Sequence, residues 1–83
     1  MHYFVYILYS SKLDRYYIGS TENIDTRLRE HLWNHRGFTA KAKDWTLKYS
    51  ETFLGKNEAI KREFQIKKWK SRIRIEKLID ANS

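Results

Sequence analysis

A carboxylate stands where a helix should be apolar. At about 100° per residue, Glu63 projects beside Ala59, Ile60, Ile66 and Lys70, inside the apolar stripe of its own segment. An ionised carboxylate placed there is costly unless a positive charge compensates it. Two readings meet that requirement. Glu63 leans out to pair with Lys67 one turn on, or it holds a metal ion at a shallow site. Arg27 and His31, four residues apart, share the edge of an earlier helical segment. Blandly, they are a surface charge and a boundary residue; otherwise both lean over one patch. His31 and His35 repeat the spacing of a two-histidine metal face, but no acidic or third histidine companion stands nearby, so zinc is discounted there. Tyr6 and Tyr17 lie in two aromatic segments, and a hairpin loop with an even number of residues puts them on one face. Such tyrosines usually fill a core. A phenol is also a proton-transfer group when a cation or a metal-bound water lies beside it. Gly19, two residues after Tyr17, leaves that face without a side chain, which lets a ligand backbone approach.

The elements that must carry these groups follow from apolar period. Tyr3 to Tyr9 is rich in β-branched and aromatic residues, apolar at both parities, as in a strand covered on both faces. A polar turn from Ser10 to Asp14 leads into a short strand from Arg15 to Gly19, and the two read as a hairpin. Ser20 to Asn23 changes to helix-start chemistry, with Asn23 as N-cap. Ile24, Leu28 and Leu32 then share one stripe of a helix that frays before Gly37. A small basic loop from Phe38 to Asp44 precedes Trp45 to Phe53, whose alternation predicts a one-sided strand. Gly55 ends it, Asn57 is a cap, a helix runs from Glu58 to Lys70, and a further amphipathic segment lies around Ile75, Leu78 and Ile79. The order β-β-α-β-α-α is that of an α+β domain with a three-stranded sheet.

Charge names the partner class. Seventeen Lys and Arg against ten Asp and Glu leave +7 on 83 residues, a field that favours a polyanion, with nucleic acid first among them. The length predicts one domain over residues 1–83 with no deep cavity for a large organic cofactor. The absence of cysteine excludes a disulfide framework and a zinc finger. The longest apolar run is too short to span a bilayer and nothing resembles a cleavable leader, so a cytoplasmic protein with no membrane role is expected. Basic residues crowd the stretch from Lys61 to Lys77. Among them Lys67, Lys68, Lys70 and Arg72 are expected on phosphates, and Lys41 and Lys43 with Trp45 form a loop where a base or sugar could rest. A solvated helix face accounts for part of that charge run. No base-reading element is apparent, so backbone and shape recognition is expected.

Phe4-Val5-Tyr6-Ile7-Leu8, then Tyr17-Ile18-Gly19-Ser20-Thr21, Arg27-Leu28-Arg29-Glu30-His31 and Ala59-Ile60-Lys61-Arg62-Glu63 together resemble a GIY-YIG nuclease domain. The resemblance covers nearly the whole chain. It is to the small stand-alone members of that superfamily, and more distantly to the N-terminal nuclease domain of the bacterial excinuclease ABC. Phe4-Val5-Tyr6 stands where Gly-Ile-Tyr is usual, and Ser20 stands where the excinuclease domain usually has lysine. The resemblance implies a small domain with a central three-stranded antiparallel sheet. It also implies cleavage of a nucleic-acid phosphodiester with one divalent metal, Mg²⁺ or Mn²⁺. By the family pattern the catalytic positions are Tyr6, Tyr17, Arg27, His31 and Glu63, with Glu63 the metal ligand and Asn82 matching a late asparagine.

Those assignments suit the chemistry. A hard cation held by one carboxylate and several waters supports phosphodiester hydrolysis. Tyr6, its pKa lowered by neighbouring cations, is then the general base, and Tyr17 orients the phosphate or assists. Arg27 braces the scissile phosphate and His31 helps to position the nucleophile or the tyrosine. The expected activity is an endonuclease acting on DNA by structure rather than sequence, in repair or recombination, with a protein partner for targeting. The competing class is a non-catalytic or partner-dependent nucleic-acid-binding module on the same fold.

Overall fold

The computed structural model describes residues 2–33 and 42–81, with the side chains of residues 31–33 outside that description. In chain order the elements are β1 (Tyr3–Ser10), β2 (Arg15–Thr21), α1 (Ile24–Trp33), β3 (Thr46–Phe53), α2 (Lys56–Trp69) and α3 (Arg72–Ala81). The three strands form one antiparallel sheet in the order β2-β1-β3, so the most apolar strand is central. This is the α+β fold that the apolar pattern predicts.

Because β1 is apolar at both parities, it supplies a core on each side of the sheet. Val5 and Ile7 pack with Ile18 against Ala59, Ile66 and Ile75 of α2 and α3. Tyr6 and Leu8 face the other way, with Ala42 and Trp45, flanked by Tyr17, Ile24 and Leu28. Helix α1 therefore lies on the face that carries both tyrosines, and α2 with α3 on the opposite face.

Hairpin parity is set by the turn. Ser10 pairs with Arg15, leaving Ser11 to Asp14 as an even loop, and Leu8 pairs with Tyr17 while Tyr6 pairs with Gly19. Directly opposed residues share a face, so Tyr6 and Tyr17 do too. Asp44 secures this turn from outside: it accepts from Ser10 Oγ (2.5 Å), Ser11 Oγ (3.1 Å) and the Lys12 N–H (2.9 Å). These bonds, that from Ser10 first, hold the Asp44 carboxyl down to about 2. An unfolded aspartate titrates near 3.9, so the folded pKa is the lower one. The contribution is present above about pH 4 and lost as pH falls toward 2. Asp44→Asn should melt below the parent near neutral pH, with the gap closing as both are acidified. A gap unchanged by pH in parallel thermal melts would deny Asp44 this role.

Four local expectations are corrected. Strand β2 continues through Ser20 and Thr21, because the ladder to Val5 and Phe4 outlasts the change in residue type. Helix α2 begins at Lys56 on an extended Gly55 (φ −121°, ψ 148°), and the Gly55 carbonyl takes the Ala59 N–H (3.3 Å), so Asn57 sits in the first turn and is no cap. The helix stops at Trp69, with Lys70 left-handed at φ 47°. Strand β3 is not one-sided from end to end, since Ile7 pairs with Tyr49 but Leu8 with Leu47, a bulge at Lys48. The extra residue exchanges faces. Tyr49 and Phe53 pack with the α2–α3 core, whereas Trp45 joins Tyr6 and Leu8.

Two expectations hold in detail. The side chain of Asn23 caps α1, its Oδ1 accepting the Thr26 N–H (3.0 Å). Among the described residues no helix is long and apolar enough to cross a membrane.

Candidate active site

Tyr6 is 3% exposed, and its ring runs across β2 toward the sheet edge. Gly19 makes that path available. A β-carbon at Gly19 would lie 2.5 Å from Tyr6 Oη and 2.7 Å from Cζ. The open space expected to admit a ligand backbone is therefore taken by the phenol of Tyr6, which is a correction to the role of Gly19. Gly19→Ala should displace that hydroxyl and, as an overpacked core, lose about 1–3 kcal/mol of stability by thermal melt. An alanine variant as stable as the parent would show that the contact is slack.

Around this hydroxyl the elements converge. Tyr17 stands on the same face with its ring centroid 6.4 Å from that of Tyr6, and meets Trp45 edge-on at 6.4 Å. Arg27 rises from the first turn of α1, 45% exposed, and its one described ion pair is with Glu30 at 3.2 Å. An exposed i, i+3 pair is worth only a few tenths of a kcal/mol, so a phosphate can displace it. From the opposite face α2 brings Glu63, 15% exposed, to the outer edge of β2. Ser20 Oγ donates to Glu63 Oε1 (2.6 Å) and Lys67 Nζ donates to Oε2 (2.6 Å).

Both readings of Glu63 thus meet in one place. It has the lysine partner that local helix spacing predicts, and it also faces a hydroxyl from a different element. Ser20 is the site residue that its residue type did not reveal. The signal was period: Tyr16, Ile18 and Ser20 alternate onto the inner face, so a polar side chain at the last of them needs a polar partner.

Burial pushes the Tyr6 phenol well above the ordinary tyrosine range; Tyr17, Glu63 and Glu30 push the same way and Arg27 opposes them. The expectation that nearby cations lower this pKa is therefore corrected for the protein alone. Arg27 does act in that direction, but desolvation outweighs it. The same balance puts Glu63 and Arg27, from opposite sides of the sheet, within electrostatic reach of one phenol.

A cleft of about 330 Å³ opens beside these groups, with Ser20, Thr21, Arg27, Glu30 and Lys56 in its walls. A larger, shallower depression of about 690 Å³ follows β3 from Leu47 to Phe53 and carries none of the candidate groups. It is the open flank of an edge strand. No cluster of three or more metal-ligating side chains occurs among the described residues, which leaves Glu63 as a single carboxylate donor.

Other expected contacts divide. Lys43 and Lys68 are exposed, and Lys67 and Lys70 reach solvent beside α3. Arg72 is already engaged, with Asp14 at 2.5 Å, Glu76 at 3.2 Å and the rings of Tyr9 and Tyr16 beneath it, so it ties α3 to the hairpin. Arg62 is spent on Glu51 (3.0 Å) and lies over Trp69. Trp45, 2% exposed, belongs to the core and is not a stacking platform, correcting the reading of that loop. Lys41, Asn82 and the side chain of His31 lie outside the described residues.

The profile of the GIY-YIG catalytic domain matches residues 2–77. The chain belongs to the GIY-YIG family. That family comprises nucleases, which act on nucleic acid, and the fold and order of elements found here are those of its domain. The chain is similar to the solution NMR structure of a UPF0213 protein from Bacillus halodurans. The two share 28% identity with a TM-score of 0.60, over 98% of this chain and 85% of the other. No curated protein sequence matches the chain.

Proposed function

We propose that this GIY-YIG domain is a metal-dependent endonuclease that hydrolyses phosphodiester bonds of DNA, choosing its substrate by structure rather than sequence, in repair or recombination. One observation carries the reading: the Tyr6 phenol, threaded over Gly19, is under the combined influence of Arg27 on one side of the sheet and Glu63 on the other.

The residues present fit a hard divalent cation. Glu63 is a mostly buried carboxylate with a hydroxyl on one oxygen, and the Lys67 ammonium on the other marks a cation position. Mg²⁺ or Mn²⁺ held by Glu63 would neutralise charge on the phosphate and acidify a bound water. The remaining work falls to the chain's own groups. Arg27 exchanges Glu30 for a non-bridging phosphate oxygen and stabilises charge that grows in the transition state. Tyr6 takes the proton of the attacking water. Tyr17, on the same face, orients the phosphate, and Lys43, Lys67, Lys68 and Lys70 hold backbone phosphates outside the cleft.

The test is cleavage of labelled branched, nicked and linear DNAs with Mg²⁺ or Mn²⁺, and with EDTA in place of metal. Cutting of branched or nicked substrates that stops in EDTA is expected. Tight, salt-sensitive binding with no cutting of any substrate would favour a binding module instead.

A further inference from the structure

Beyond the cleft, a second recess lies along the outer edge of β2. It is a groove of about 190 Å³ between that strand and the α2–α3 junction, with Arg15, Lys67, Lys70 and Ser71 around it and Ile66 and Ile75 beneath. Its charges are of two kinds. Asp14, the acidic group on its rim, is neutralised by Arg72 at 2.5 Å, and Glu76 is bonded to Arg72 and to the Tyr16 hydroxyl. Arg15 and Lys70, by contrast, have no ion-pair partner among the described residues. The groove therefore presents two uncommitted cations facing each other across a floor that is partly apolar.

Lys70 adds a second observation. Its backbone is left-handed at φ 47°, at the C-cap of α2, where glycine is the residue usually at home. A lysine there gives up backbone comfort and gains only what its side chain reaches. Lys67 links this recess to the candidate active site, since it lines the groove while its ammonium sits on Glu63. From Glu63 to Lys70 is seven residues of helix, about 10 Å at 1.5 Å per residue. At 3.4 Å of axis per nucleotide that is about three nucleotide steps along a strand.

We propose that this groove is a phosphate subsite: Arg15 from β2 and Lys70 from the end of α2 grip one backbone phosphate of the nucleic acid, within about three nucleotides of the phosphate at Glu63. The proposal rests on the nuclease reading for its substrate class. It sets the direction of the bound strand, along the β2 edge from the cleft toward the α2–α3 junction. It also assigns the contact to Arg15 instead of Arg72, whose guanidinium is already committed.

The experiment is salt-titrated fluorescence anisotropy of a labelled DNA, in EDTA, with the parent chain, Arg15→Gln, Lys70→Gly and the double variant. Loss of one phosphate contact should make the slope of log affinity against log salt shallower by about 0.9 in the double variant. Lys70→Gly should at the same time melt no lower than the parent, because glycine suits that backbone. A parental slope in the double variant overturns the subsite, and a lower melting point with a parental slope makes Lys70 a helix cap alone. In a second arm, single methylphosphonate substitutions remove charge from each of the three phosphates on either side of the cleavage point. One of them should weaken the parent and leave the double variant unaffected. Losses that simply add at every position overturn the proposal. The slope needs no cleavage, which keeps the two readings apart. A parent that cuts while the variants keep its slope sinks the groove and spares the nuclease, whereas binding through the groove without any cutting does the reverse.

Discussion

Glu63→Gln is expected to abolish metal-dependent cleavage while the domain stays folded. Glutamine keeps the size of the side chain and retains an oxygen that can accept from Ser20 or Lys67, which now make the two bonds at 2.6 Å. The ion pair it removes has a partner that is 44% exposed, so the stability change should stay within about 1 kcal/mol. The catalytic loss is of another size. A bound cation stabilises transition-state charge by several kcal/mol, so removing its carboxylate ligand costs at least about two to three orders of magnitude in rate. Thermal melting and cleavage at saturating DNA over a series of Mn²⁺ concentrations measure the two effects together. Parental cleavage in this variant would mean that Glu63 holds no metal, and the single-carboxylate reading would fail. Rescue at high Mn²⁺ would support it, since a weakened site fills again by mass action.

The contrast between Glu63 and Ser20 shows how far the sequence could be read. Glu63 was conspicuous because helical period is a local property, and a carboxylate in an apolar stripe violates it within a few residues. Ser20 was not, because it lies where residue type turns toward helix-start chemistry. Only the pairing of Val5 with Ser20 keeps it in the strand. The sheet order, the two-sided β1 and the shared face of Tyr6 and Tyr17 were all legible. Each follows from parity and from an even loop, and those are counted along the chain. The bulge at Lys48 was not legible, since it depends on which residue of β3 meets Leu8, and its consequence is that Trp45 is core rather than surface. Charge behaved in the same way. A run of lysines and arginines announces a partner, but it does not say that Arg62 and Arg72 are already bound to Glu51, Asp14 and Glu76. Those acids stand 11, 58 and 4 residues away from their arginines, and only the last spacing is local.

Tyr6→Phe should lose about two to four orders of magnitude in single-turnover rate, the range expected when a general base is removed. The substitution deletes only the hydroxyl at the edge of β2, so the ring still fills its place over Gly19 and the melting point should change little. Tyr17→Phe should cost less, since Tyr17 is assigned to orienting the phosphate. The pH dependence separates proton transfer from mere packing or hydrogen bonding. Burial holds the Tyr6 phenol protonated at neutral pH in the protein alone, with Glu63 adding to that effect and Arg27 opposing it. If the phenolate is the working form, its population rises tenfold per pH unit below its pKa. The parent's saturated rate should then climb with a slope near one in log rate against pH, and level off only where Tyr6 is ionised in the substrate complex. Removing the hydroxyl should flatten that profile as well as lower it. Filling the Glu63 site lowers the pKa by replacing a net negative neighbour with a cation, so Mn²⁺ and Mg²⁺ should give profiles displaced from one another along the pH axis. A Tyr6→Phe variant with the parental rate and slope would remove Tyr6 from the proton path and leave it a core residue. A large rate loss with the parental slope intact would instead make the neutral hydroxyl a hydrogen-bond donor to the phosphate, with the base to be sought elsewhere.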